Sequence, residues 1–294
     1  MSFKLTLFIS FIMLLQLPVF GQESEQLSPK EIRHNRPKYI QAGLGLNRGS
    51  MRDFATSPVT YKGVLMNYSL GRLKMDSARE VKLSARFNHG AYRYKKTEGI
   101  DVQSKSFQYV LYLNYYRLYR LKGISNDKWN VKLGGMYDVN MDVRINQDLM
   151  NAGIGYEVFN TFFLSGKVER RFERREMETK KFLFIKYKAK PMVTLFSYQL
   201  NLPVVNNTIR NGFSYIGNES LNTIPLFKGY EAKSFSGVRF CSELAYTRQM
   251  QNGNMYRVSY LWDAYAVGES FNRFEMANHI LEFSLLFHLN KNTQ

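Results

Sequence analysis

The sequence predicts an all-β chain: an antiparallel, up-and-down transmembrane β-barrel of about ten strands. Three observations carry this. An export-type leader opens the chain, period-two alternation runs through nearly all that follows, and the alternating segments are longer and more aromatic than soluble strands. Lys4 is the one charge in the first 21 of 294 residues, and it precedes the apolar run from Leu5 to Leu15 and then Pro18-Val19-Phe20-Gly21. A basic start, an apolar stretch of about 7–15 residues and a small closing residue describe a secretory signal peptide. Residues 1–21 are therefore expected to be a cleaved signal peptide, 22–37 a periplasmic lead and 38–290 the barrel.

Composition excludes several classes. Aromatic residues make up 15% of the chain, with 20 Tyr and 22 Phe, so it can bury ample apolar surface and is not disordered. The single cysteine, Cys241, excludes a disulfide scaffold and a cysteine-rich zinc site. No metal or cofactor is expected. Beyond residue 21 no run of 18 apolar residues occurs, so no helical span is expected.

Alternation marks the strands in order: 38–47, 60–72, 79–92, 105–118, 128–143, 153–168, 181–202, 233–248, 254–267 and 271–289. In the first, Gly43-Leu44-Gly45-Leu46-Asn47-Arg48-Gly49 looks like a phosphate loop. Its spacing is wrong and it lacks the strand–helix context, so small residues in a barrel wall account for it. In the third, Val81, Leu83, Ala85 and Phe87 interleave with Lys82, Ser84, Arg86 and Asn88. The clearest case is the fifth, where Trp129, Val131, Leu133, Tyr137, Val139, Met141 and Val143 alternate with polar residues. Only a strand puts two such sets on opposite faces. The seventh segment slips phase between Tyr187 and Phe196, which signals a bulge or a missed turn. Twelve strands stay open if 181–202 splits near Pro191 and another pair lies within 149–172. Asn252-Gly253 marks a tight hairpin before the ninth strand. The last alternates Leu281, Phe283, Leu285, Phe287 and Leu289 with Glu282, Ser284 and His288. With an even strand number and the amino terminus in the periplasm, the long segment 203–232 falls among the outer loops.

On the leader, the dyad repeats and that last strand, the chain resembles the small outer-membrane β-barrel proteins of Gram-negative bacteria. The resemblance implies an outer-membrane location and a terminal strand (Phe283, Leu285, Phe287) read by the barrel-assembly machinery. This chain departs from the pattern in running on past Phe287 through Leu289 to Gln294. The likeness is architectural and names no activity.

An Arg or Lys facing lipid at the bilayer midplane costs about 2–4 kcal/mol. Strand charges are therefore expected to face the lumen: Lys82, Arg86, Lys128, Lys132, Asp138, Asp142, Glu157, Lys167, Arg239, Glu243, Arg257, Asp263 and Glu282. About eight strands leave an interior just filled by side chains, so ten strands with both signs inside imply a largely closed lumen crossed by ion pairs. The formal charge of +17 is carried largely outside the strands, at Lys95, Lys96, Lys105, Lys122 and the run from Glu169 to Lys181. Such a surface attracts anionic lipid phosphates. Nucleic acid is not an expected partner, because no groove-reading motif accompanies the charge.

Catalysis would need a nucleophile, a base and an orienting group within reach of one another. Of His34, His89, His279 and His288, only His288 shares a face with a serine, Ser284, and with Glu282. Four residues along a strand span about 13 Å, too far for proton transfer. The expected function is thus non-enzymatic, a structural or partner-binding component of the cell envelope with a partner-binding surface at 203–232. The alternative is a narrow passive channel for small anionic solutes. A lipid- or peptide-modifying enzyme stands third.

Overall fold

The computed structural model describes residues 36–95, 103–174, 176–182, 184–189, 191–211, 230–268 and 272–289. The expected signal peptide and residues 22–35 of the lead lie outside the described residues, as do the apolar loop segments within 212–229.

Thirteen strands follow in order among the described residues: β1 (Lys38–Asp53), β2 (Ser57–Met75), β3 (Arg79–Lys95), β4 (Gln103–Arg120), β5 (Trp129–Ile145), β6 (Ile154–Arg174), β7 (Glu178–Phe182), β8 (Ile185–Ala189), β9 (Met192–Asn211), β10 (Tyr230–Lys233), β11 (Val238–Gln249), β12 (Met255–Val267) and β13 (Phe274–His288). Ten of them form the wall, in the order β9-β11-β12-β13-β1-β2-β3-β4-β5-β6, and a β6–β9 ladder closes it. Every pairing is antiparallel, including β1 with β13, which runs in register from Tyr39–His288 to Asp53–Phe274. Closure leaves no free sheet edge, the condition for a sheet to cross a membrane.

The burial pattern is that of a soluble sheet turned inside out. On β2, Val64, Met66, Tyr68 and Leu70 are exposed on the outer face while Leu65, Asn67 and Leu73 are buried inside. On β13, Leu281, Phe283, Leu285 and Phe287 point out, and Ile280, Glu282, Ser284 and Leu286 point in. Outward Lys62 and Arg72 bracket the apolar set on β2. Ten residues at about 3.3 Å rise, tilted about 40°, span about 25 Å, the height of a membrane barrel's apolar band. At the end where β1 begins and β13 stops, rings of Phe172, Phe196, Tyr246 and Tyr256 follow one another around the wall at centroid spacings of 5.0–6.3 Å. Arginines cap this girdle: Arg170 lies over Trp129 and Phe172, and Arg248 over Tyr256.

Three expectations are corrected. First, strands outrun the apolar pattern, because ladder hydrogen bonds continue after side chains turn polar in water. β1 reaches Asp53, so the outer loop expected at 48–59 shrinks to residues 54–56. Second, segment 181–202 is no single strand. β7 and β8 pair with each other in a separate two-stranded ribbon, and the wall resumes at Met192, so the phase slip was a missed turn and the wall has ten strands. Third, Pro203 does not open a loop. Pro203 pairs with Phe163 and Val205 with Phe162, leaving Val204 as the extra residue of a bulge, and β9 runs on to Asn211. A proline, which has no N–H to donate, is tolerated in a wall at such a bulge. The Asn252-Gly253 hairpin falls where expected, in a five-residue connection between β11 and β12, with Gly253 at φ 82° and Asn252 Oδ1 accepting from the Asn254 amide at 3.1 Å.

Candidate functional site: the barrel interior

The interior is stacked in layers from the end where β1 stops and β13 begins, the distal end, toward the opposite end. At the distal mouth, Asp53 of β1, Arg144 of β5, Glu157 of β6 and Arg210 of β9 interlock. Arg144 contacts Asp53 at 2.9 Å and pairs with Glu157, while Arg210 reaches Asp53 at 3.2 Å and donates to the Asn272 carbonyl at 2.6 Å. Both guanidinium groups lie over the Phe274 ring, at 4.8 and 5.0 Å.

Beneath them is an apolar plug. Met51, Tyr61, Leu65, Tyr92, Val110, Tyr112, Phe159, Tyr265, Val267, Phe274 and Met276 pack into one cluster. These residues come from β1, β2, β3, β4, β6, β12 and β13, so the cluster meets most of the wall. Its tyrosines are anchored: Tyr92 donates to Asn278 Oδ1 at 3.2 Å and Tyr112 accepts from Asn278 Nδ2 at 3.3 Å. Gly49 of β1 leaves the space that the Tyr92 hydroxyl fills, which gives one member of the glycine-rich run a packing role.

Arg239 of β11 occupies the middle. It grips Asp263 with two hydrogen bonds of 2.9 Å and reaches Asp138 of β5 at 2.5 Å. Its guanidinium lies 5.6–5.8 Å from the Tyr112, Phe163 and Tyr265 rings. Below it, Glu282 accepts from Asn67 at 2.8 Å and Ser284 at 2.7 Å, with Arg86 at 3.6 Å. Arg257 is 3.8 Å from Glu243 and donates to Thr247 at 3.0 Å. Glu80 of β3 then bridges the lumen, taking Lys167 at 2.7 Å, Lys132 at 3.1 Å and the Tyr116 hydroxyl at 2.5 Å. Lys132 also reaches Glu169 at 2.8 Å. Tyr39, Leu73, Met255 and Leu286 pack together at the other end, beside a cavity of about 470 Å³ lined by Tyr39, Asn130, Lys132, Glu169 and Met255.

Among the described residues the buried and half-buried inward charges nearly balance: eight cations (Lys82, Arg86, Lys132, Arg144, Lys167, Arg210, Arg239, Arg257) face nine acids (Asp53, Glu80, Asp138, Asp142, Glu157, Glu169, Glu243, Asp263, Glu282), a formal charge of −1. The cavity enclosed around Lys82, Arg86, Asp138, Arg239 and Glu243 is about 30 Å³, room for about two waters.

Of the sequence-predicted residues, Lys82, Lys132, Asp138, Asp142, Glu157, Lys167, Arg239, Arg257, Asp263 and Glu282 are buried inside, and Arg86 and Glu243 are half-buried on the same face. Lys128 is corrected: it lies exposed in the β4–β5 turn, where its amide donates to Asn126 Oδ1 at 2.9 Å. The sequence reading missed Asp53, Arg144 and Arg210, because it ended their strands too early. It also missed Glu80, whose parity with Lys82 and Arg86 was the available signal. The aromatic plug went unforeseen too, since Tyr and Phe were read as lipid-facing.

Among the described residues, no histidine is hydrogen-bonded to a serine or a carboxylate side chain. His89 stacks on Tyr68 and Phe87 outside the wall, and Tyr260 bonds His279 Nδ1 at 2.6 Å on the same outer surface. His288 packs on Tyr39, while Ser284 is hydrogen-bonded to Glu282 and Gln41. His34 lies outside the described residues. Among the described residues no cluster of His, Cys, Asp and Glu is arranged to hold a metal ion.

No protein-family model matches the sequence, and no curated protein sequence matches it. Solved structures to which the chain is similar include the translocator domain of the autotransporter NalP from Neisseria meningitidis, at 9% identity and TM-score 0.37, covering 88% of this chain and 91% of that one. A deletion mutant of the TodX monoaromatic hydrocarbon channel has 7% identity and TM-score 0.32, with 87% and 91% covered. Neisserial surface protein A has 8% identity and TM-score 0.26, with 86% and 97% covered. All three are outer-membrane β-barrels.

Proposed function

We propose that the chain is a closed, non-enzymatic barrel of the outer membrane whose work is structural or partner-binding. The observation that carries this is the filled lumen. An aromatic plug tied into the wall by hydrogen bonds sits above cross-barrel ion pairs, and the cavity beneath it, around Arg86, Asp138 and Arg239, is about 30 Å³, room for about two waters. Solute passage would require breaking several buried ion pairs at once. The balanced interior charge also gives an anion no reason to enter. Partner binding is assigned to the distal connection between β9 and β10, whose sequence is apolar for a loop (Phe213, Tyr215, Ile216, Leu226, Phe227). Recognition by the barrel-assembly machinery is assigned to the outward, half-exposed Phe283, Leu285 and Phe287 of β13.

Single-channel recording in a planar bilayer tests this reading. Protein that shows the heat-sensitive gel mobility of a folded barrel is expected to give no conductance steps. Reproducible steps with anion preference would replace the proposal with the narrow channel.

A further inference from the structure

Three cations stand side by side on the outer surface near the distal end. Lys62 of β2 is the direct cross-strand partner of Arg93 on β3, and Arg93 is the direct partner of Lys105 on β4. All three side chains are exposed. Neighbouring strands lie about 4.8 Å apart, so the row packs three like charges into about 10 Å, an arrangement that destabilises a sheet. No carboxylate among the described residues lies within ion-pair distance of any of them. Asp148 uses Oδ2 to accept the backbone amide of Lys105 at 2.9 Å, and the Lys105 ammonium sits 4.3 Å from the Phe107 ring centroid. A row that the described residues leave without a carboxylate partner is suited to an external anion.

The height of the row says which anion. One step toward the middle of the wall, the same three strands present Val64, Ala91 and Phe107 in the same register. Charge thus changes to hydrocarbon within a single outward row, at the top of the band about 25 Å tall that ends at Arg72. That is the level of lipid headgroups. Lys62 and Arg93 also line an open groove of about 460 Å³ with Val59, Thr60 and Tyr94.

We infer that Lys62, Arg93 and Lys105 form a site for the phosphate of an anionic lipid in the leaflet around the distal end. The guanidinium supplies a planar fork and the two flanking ammonium groups supply point charge, the combination that suits a phosphate monoester. This rests on the reading that the barrel spans a membrane and is independent of whether it conducts.

The test uses the full chain in nanodiscs, with native mass spectrometry counting retained lipid. Insertion into phosphatidylcholine-only discs reports the membrane reading by itself. In discs doped with phosphatidic acid, the wild type is expected to retain that lipid. Each cation near a membrane surface contributes about 1 kcal/mol, so the K62Q/R93Q/K105Q protein should lose about a hundredfold in affinity and K105Q alone about fivefold. K105Q alters one exposed side chain and serves if the triple variant does not fold. Arg72→Gln, at the opposite edge of the band, should leave the binding unchanged. Equal retention by wild type and K105Q would overturn the inference. Displacement of the lipid by millimolar inorganic phosphate would overturn the lipid assignment in favour of free phosphate.

Discussion

Arg239 and Asp142 show that the buried charges are not alike. Arg239 satisfies Asp138 and Asp263 together, and removing one partner of a buried ion pair costs about 3–5 kcal/mol. Arg239→Met should therefore lower the midpoint of the heat-induced gel shift markedly, and adding D138N and D263N should recover much of the loss. Asp142 is the opposite case. Both its oxygens are buried without a hydrogen-bond partner, and its direct cross-strand neighbour is Glu157. Like charges directly opposite destabilise a sheet by up to about 1 kcal/mol. Asp142→Asn should raise the same midpoint, and a lower one would mean that the carboxylate is needed by the Arg144 cluster.

At the scale of elements, each outward strand position has a depth, and depth sets the cost of charge. Phe283 of β13 is the partner of Leu44, whose other neighbour Tyr68 lies two outward residues from Arg72. Phe287 is the partner of Ile40, which pairs with Arg72 itself. Phe283→Arg should cost about 2–4 kcal/mol and impair insertion, whereas Phe287→Arg should cost about 0–1 kcal/mol because its head can reach water at the edge. Urea titration of folding into vesicles measures both, and the reverse order would shift the membrane boundary along the wall. The β7–β8 ribbon has its own ladder and shares none with the wall. Replacing residues 176–190 with a Gly-Ser linker should leave the gel-shift midpoint unchanged, and a large drop would show that the ribbon braces β6 and β9.

For the whole molecule, charge is sorted by location. Among the described residues the inward set is nearly balanced, and outward charges stand at the two edges of the apolar band, as with Lys62, Arg93 and Lys105 at one edge and Arg72, Arg170 and Arg248 at the other, while Arg48 of β1 is exposed at the register of Val64. A high formal charge is thus compatible with a nearly balanced set of inward charges among the described residues. On the proposed reading, the outward charge meets lipid headgroup and water and not a transported solute.

The sequence by itself determined the wall. Period-two alternation forces Leu281, Phe283 and Leu285 to one face and Glu282 and Ser284 to the other wherever a strand forms, and lipid outside admits only one choice of face. It also determined that Lys82, Arg86 and Glu282 point inward. It could not determine where strands stop, because pairing through Asp53, Ile145 and Asn211 is held by backbone hydrogen bonds that carry no side-chain signature. Nor could it tell that Tyr92, Tyr112 and Phe159 point inward, since their aromatic character suits lipid as well as a packed core. Which charges meet was decided only by closure. Arg239 and Asp138 lie 101 residues apart, and only the curvature of a ten-strand ring brings them to hydrogen-bonding distance.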